Sequence, residues 1–204
     1  MIKKRGRPTG EETRRQIVEA ALQTLKTDGF AGATSRAIAR AGDFNPALIF
    51  YHFGSLDALL LAALDRTSEE RLARYGQAVA EAQTVEELAA VASRVYAEDR
   101  DSGHMTVVSQ MVAGSVARPE LAPAVLARME PWIELCEEAL RKALAELDAS
   151  EALPLEQLAY AVVTFYLGVN LLTHLDTDRA RTDALFAQVG AVASLVSAAS
   201  RPAL

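Results

Sequence analysis

A single cysteine, Cys136, leaves this chain of 204 residues unable to close an intramolecular disulfide, which excludes the stapled secreted folds. Glycine and proline together make 18 of the 204 residues and aromatics only 6%. Sandwiches and barrels need more turn formers and more strand formers than that, so the composition predicts an all-α chain. Also missing are a Gly-rich phosphate loop, a nucleophile elbow and any close His or Cys pair; His52, His104 and His174 lie far apart. No metal, no cofactor and no enzymatic constellation is therefore expected. The opening Met1-Ile2-Lys3-Lys4-Arg5-Gly6-Arg7-Pro8 has no apolar stretch of the secretory kind, and a cytoplasmic location is expected.

Long uncharged runs are present near the C-terminus. Gln157 to Leu175 is 19 residues without a formal charge, and Ala184 to Ser200 is another 17. The first carries Gln157, Thr164, Asn170, Thr173 and His174, which are costly in lipid, and the second is mostly Ala, Ser and Gly. Both read as packing helices rather than membrane spans. The first is apolar nearly all round, with Leu158, Ala161, Phe165, Val169 and Leu172 on one face and Val163, Leu167, Leu171 and His174 on another. Such a helix must be buried. Ala187, Gly190, Ala191 and Ser194 in the second are small enough for close approach, so the expectation is a C2 homodimer through a four-helix bundle of residues 155–176 and 182–199.

The net charge of −6 and a pI near 5.2 would ordinarily argue against nucleic acid. The charge is unevenly distributed. Residues 1–56 hold nine basic groups (Lys3, Lys4, Arg5, Arg7, Arg14, Arg15, Lys26, Arg36, Arg40) against five acidic ones (Glu11, Glu12, Glu19, Asp28, Asp43), a balance of +4 that leaves −10 for the rest. A small polyanion-binding module on an acidic body has this signature. Residues 1–9 read as a flexible basic arm, in which Arg5 and Arg7 around Gly6 suit a narrow A·T-rich minor groove.

Helix punctuation is dense from Thr9 onwards. Thr9 with Glu12 forms a capping box, followed by Ile17, Ala20, Ala21 and Thr24 at helical spacing, and Asp28-Gly29 closes the helix. Thr34-Ser35 caps a second, short helix that buries Ile38 and closes at Gly42-Asp43. Asn45-Pro46 opens a third, with the proline at the first helical position. In that helix Ile49, Phe53 and Phe50 are expected to point at the first two helices, leaving Asn45, Pro46, Ala47, Leu48, Tyr51 and His52 outward. Two short helices across a tight turn, the second presenting small and hydrogen-bonding residues, form a helix-turn-helix.

Thr34-Ser35-Arg36-Ala37-Ile38-Ala39-Arg40 and Phe44-Asn45-Pro46-Ala47-Leu48-Ile49-Phe50-Tyr51-His52-Phe53-Gly54-Ser55 resemble the DNA-binding domain of the TetR family of bacterial transcriptional regulators over about residues 11 to 71. The resemblance implies a dimer on a palindromic double-stranded DNA operator, usually repressing and released by a small molecule in the C-terminal domain. It also implies that Thr34, Tyr51 and His52 meet phosphates while Arg36 and Asn45 to Leu48 lie near base edges. Pro46, Ala47 and Leu48 carry no side-chain hydrogen-bonding group, so direct readout there reduces to thymine methyls. Three positions depart from the family pattern. Asp43 stands where Gly is usual, with Gly42 in place of Ala, and should carry the left-handed turn residue. Leu56 replaces a Lys that meets a phosphate, and Ser35 replaces an apolar residue.

The expected division is thus an arm (1–9), a helix-turn-helix domain (10–56) and a helical ligand-binding and dimerisation domain (57–204). Within the last, Ser55-Leu56-Asp57 caps a long helix. Thr84-Val85-Glu86-Glu87 is a capping box for a helix to about Tyr96, Glu98 to Ser102 reads as a charged break, and helices follow at His104 to Ala117 and Trp132 to Leu147. Tyr96, Met105, Gln110, Met111, Trp132, Cys136, Phe165, Tyr166 and Asn170 mix apolar and polar groups as effector pockets do, and each equally suits plain core. Two alternatives stay open: a DNA-binding dimer controlled by a protein partner, and a cofactor-free helical enzyme with Cys136 as its thiol.

Overall fold

The structure, a computed structural model, describes residues 9–145, 153–173, 175, 178 and 180–199. Its elements are α1 (Gly10–Gly32), α2 (Ser35–Ala41), α3 (Ala47–Phe53), α4 (Leu56–Glu81), α5 (Val85–Ser102), α6 (His104–Ala117), a 3₁₀ turn (Pro119–Leu121), α7 (Ala122–Ala127), α8 (Glu130–Ala143), α9 (Leu155–Thr173) and α10 (Ala180–Ala199). No strand occurs among the described residues, in line with the scarcity of aromatics and turn formers. Arg5, Arg7, Leu147 and His174 lie outside the described residues.

The contacts divide the chain into two compact units, one through Ser68 together with Thr106–Val125, the other Glu69–Met105 together with the chain from Leu126. The expected division at residues 56 and 57 is not where these units part. The first turns of α4 stay with the helix-turn-helix because Leu59, Leu60, Ala63 and Leu64 are buried there. Most of α6 joins them through three contacts around Phe30. The Gln110 side-chain carbonyl accepts the Phe30 amide at 2.8 Å. Gly114 lies against the Phe30 ring so closely that a Cβ would come within 2.3 Å of it, and Arg118 stacks on the same ring at 5.0 Å while pairing with Asp57.

Helix ends in this unit follow their sequence signals. The Thr9 hydroxyl accepts from the Glu12 amide, and the Glu12 carboxylate accepts from the Thr9 amide, which holds the Glu12 carboxyl below its ordinary range. Helical geometry in α1 breaks at Gly29, whose φ of 70° is left-handed, within the Asp28-Gly29 pair expected to close the helix, although the element runs on to Gly32. Ser55 caps α4 by accepting from the Ala58 amide.

Two expectations fail in the second unit. Glu98 to Ser102 is helix, not a break: α5 runs on to Gly103, which closes it in the left-handed conformation. The charge that suggested a break, Asp99, is buried and paired instead. The capping box at Thr84 is half-formed, because the Glu87 carboxylate takes the amide of Gln83 rather than that of Thr84. Helix α8 starts at Glu130, one turn's edge earlier than expected, with Pro131 in its first turn where a missing N–H costs nothing.

Helix α9 packs on α8 and α10 on α5. Helix α9 is long and apolar enough to cross a membrane, with a mean hydropathy of 1.3, and only 17% of that stretch is buried within the chain. Tyr160, Val162, Phe165, Leu171 and Leu172 stand exposed on it, with Leu185 and Val192 exposed on α10. The chain alone does not give α9 the burial its sequence demands.

Candidate nucleic-acid interface

The helix-turn-helix is held by short-range bonds that its sequence encodes. The Thr34 hydroxyl accepts from the Ala37 amide at 3.2 Å and caps α2, whose Ile38 and Ala39 are buried. The turn residue is Asp43, with φ 53°, as its place in the sequence predicts. Gly42 beside it has no room for a side chain, since a Cβ would meet the Phe44 ring at 2.3 Å and the Ala20 methyl at 2.8 Å. Asn45 then accepts the Ala47 amide through its side-chain oxygen at 2.9 Å, which starts α3.

Thr34, Arg36, Asn45, Ala47 and Tyr51 are exposed, and Pro46, Leu48 and His52 are half-buried. Tyr51 is 82% exposed and meets the His52 ring edge to face at 4.9 Å, so the two project as one polar-tipped aromatic pair. Ile49 is fully buried as expected. Phe50 is not: at 51% exposed it stands out of the core assigned to it. Ile49 and Phe53 are four residues apart and share the inner face, whereas Phe50 lies about 100° round from Ile49 and clears α1 and α2.

Two positioning residues escape sequence reasoning. The Arg14 guanidinium donates from Nη1 to the His52 carbonyl at 2.9 Å and stacks 4.2 Å from the Phe53 ring centroid. Gln16 donates from Nε2 to the Gly42 carbonyl at 2.8 Å. Helix α1 thereby holds the end of α3 and the turn before it, and a cation sits where the helix has unpaired carbonyls and the negative end of its dipole. Both residues lie on the polar face of α1, where sequence reads only solvation. Arg14→Ala should leave the fold intact and weaken operator binding about fivefold, the worth of roughly 1 kcal/mol of lost hydrogen bonding. Arg14→Lys, which keeps a cation and a donor, should recover part of it. Unchanged affinity in titrations of Arg14→Ala would refute the role.

The candidate effector residues divide between the units. Gln110 and Met111 belong to the first, where Gln110 is committed to Phe30. In the second unit, Tyr96 bonds Thr173 at 2.9 Å and packs on Phe186 with Val169, Met105 is buried, and Phe165 is 41% exposed. Open depressions of about 270 Å³ (Ser93, Tyr96, Ala97, Asp183, Phe186, Ala187) and 460 Å³ (Glu130, Ile133, Glu134, Glu137, Glu156, Gln157, Tyr160) mark this unit, and Tyr96 is the one expected residue lining either.

Trp132, Cys136, Tyr166 and Asn170 gather instead around two residues that sequence did not single out, Arg71 and Asp99. Arg71 donates from Nε to both Asp99 oxygens, at 3.2 and 3.1 Å, and from Nη2 to Oδ2 at 2.7 Å. The side chains are only 7% and 0% exposed. Tyr166 donates its hydroxyl to Asp99 Oδ2 at 2.7 Å, and the Arg71 guanidinium lies 4.5 Å over the Trp132 ring and 5.8 Å from that of Tyr166. Asn170 donates to the Tyr166 carbonyl. Burial and the Asp99 charge push the Tyr166 hydroxyl far above its usual range, and burial pushes the Cys136 thiol up to about 11 despite Arg71 nearby. Cys136 is half-buried, and a thiol so disfavoured as thiolate is a weak nucleophile. Among the described residues no group of His, Cys, Asp and Glu could hold a metal ion.

An exposed recognition helix on a clamped tri-helical head defines the class: a helix-turn-helix DNA-binding protein. The family model for "Bacterial regulatory proteins, tetR family" matches residues 17–63. The chain is 23% identical over 178 residues to the HTH-type transcriptional regulator UidR of Escherichia coli K12, covering 87% of this chain and 89% of that one. Among experimental structures, a TetR-family transcriptional regulator from Cytophaga hutchinsonii superimposes with a TM-score of 0.75 at 16% identity, over 93% of this chain and 97% of that one. A transcriptional regulator from Saccharomonospora viridis in complex with choline gives 0.71 at 18%, over 88% and 94%. Residues 17–63 thus carry the DNA-binding domain of the TetR family, and the chain is a DNA-binding transcriptional regulator of that kind.

Proposed function

We propose that the protein is a ligand-released repressor that binds a palindromic operator as a C2 dimer in the cytoplasm. The exposed apolar surface of α9 and α10 carries the dimer reading: these side chains need cover, and a second copy offers the same faces to residues 155–176 and 182–199. Paired heads would place two α3 helices in successive major grooves. Thr34, Tyr51 and His52 take phosphates, Arg36 and Asn45 to Leu48 face base edges, and Arg5 and Arg7 enter the flanking minor groove. Contacts of Pro46, Ala47 and Leu48 with thymine methyls make α3 a modest direct reader. The S. viridis relative holds choline. For this chain we place the effector in the second unit, near the residues that surround Arg71 and Asp99. Binding to DNA flanking the protein's own gene, titrated at several salt concentrations, tests the reading. Affinity should fall steeply with salt and be lost with one of a panel of metabolites. Absent or salt-insensitive binding would refute it.

A further inference from the structure

We infer that the effector is an organic monocation which takes the place of the Arg71 guanidinium on Asp99; this deepens the ligand-released reading and rests on it. The Asp99 carboxylate is wholly enclosed, and Tyr166 fixes it by donating to Oδ2. Above it the Arg71 guanidinium is flanked by the faces of Trp132 at 4.5 Å and Tyr166 at 5.8 Å. A position bounded by a buried carboxylate and two aromatic faces is a cation site, and here the chain's own guanidinium fills it.

The two partners are not equally free to leave. Asp99 has a short side chain in the last turn of α5, held by three Arg71 bonds and one from Tyr166. Arg71 reaches the site on a long flexible stem from a stretch of α4 that also carries the exposed Glu69 and Arg74. It can withdraw towards water while the carboxylate cannot. A buried ion pair is a weak net stabiliser, because desolvation offsets most of its attraction, so exchanging one cation for another has little electrostatic cost. The exchange also has a route to the DNA-binding head. Helix α4 runs without interruption from Leu56, in the first unit, through Arg71, so release of the guanidinium frees the midpoint of the helix that both units share.

Trp132 is the chain's single tryptophan and reports on the site directly. The full-length protein is titrated with benzyltrimethylammonium, with phenylacetate and benzyl alcohol as anionic and neutral controls, at constant ionic strength. A saturable change in Trp132 emission with the cation alone, accompanied by about tenfold weaker operator binding, is expected. Arg71→Ala should bind the smaller cations methylguanidinium and tetramethylammonium in the vacated space, raising its melting temperature by about 4 °C at ten times their Kd. Should Asp99→Asn fold, it should lose the emission response. An equal response to phenylacetate, or none to any cation in both wild type and Arg71→Ala, overturns the inference. Cation binding that leaves operator affinity unchanged overturns the effector role alone, while absent operator binding with the cation response intact sinks the regulator reading instead.

Discussion

Replacing Asp99 with Ala should destabilise the second unit by about 3–5 kcal/mol, the cost of leaving a buried charge without its partner. Arg71 would keep a side chain only 7% exposed and lose all three of its bonds to the carboxylate, and the Tyr166 hydroxyl would lose its acceptor at the same time. Stabilities of whole domains are about 5–15 kcal/mol, so the variant should be substantially unfolded at growth temperature. Urea denaturation followed through Trp132, which stacks on Arg71, measures it, and the midpoint should fall with little change in slope. A paired replacement, Arg71→Met with Asp99→Leu, should regain most of the loss, since similar apolar volume in place of a buried pair is often neutral or better. An unchanged midpoint for Asp99→Ala would show that the pair holds nothing together.

Charge on the exposed face of α9 should abolish operator binding without touching the head. Phe165 and Leu172 are 41% and 61% exposed in the single chain, seven residues apart on the same side of the helix. If a second copy covers them, Phe165→Glu with Leu172→Glu puts four uncompensated carboxylates into one symmetric interface, because every substitution occurs twice. The expected product is a helical monomer of 21.9 kDa by sedimentation, with circular dichroism unchanged. Operator affinity should drop by about a hundredfold or more, since one head alone makes half the contacts. A variant that still sediments as a dimer and binds its operator normally would place the interface elsewhere.

How much of this could be read from the chain alone depends on distance along it. The helix-turn-helix rests on bonds spanning two or three residues: Thr9 with Glu12, Thr34 with Ala37, Asn45 with Ala47, Ser55 with Ala58. Capping and turn chemistry are local, so the head, its left-handed Asp43 and the start of the connecting helix follow from the sequence. The uneven charge likewise needs no structure, because it is a sum over neighbours. Exposure of Phe50 is a different case. The residue type and spacing argued for core, and only the seating of a seven-residue helix on α1 and α2 decided which arc was covered.

The remaining features join residues far apart in sequence, and there composition misleads. Arg14 looks like a solvated residue on a polar helix face until it meets the His52 carbonyl, 38 positions on. Asp99 looked like part of a charged break because an isolated carboxylate seeks water. Arg71, 28 positions away, supplies the opposite charge that lets it be buried inside a continuous helix. By itself the sequence determined a basic helix-turn-helix head and a helical body with more apolar surface than one copy can cover, because periodicity, capping and charge are properties of neighbours. The tertiary structure decided which polar groups meet inside that body, since the burial of a charge is settled only by a partner that folding brings to it.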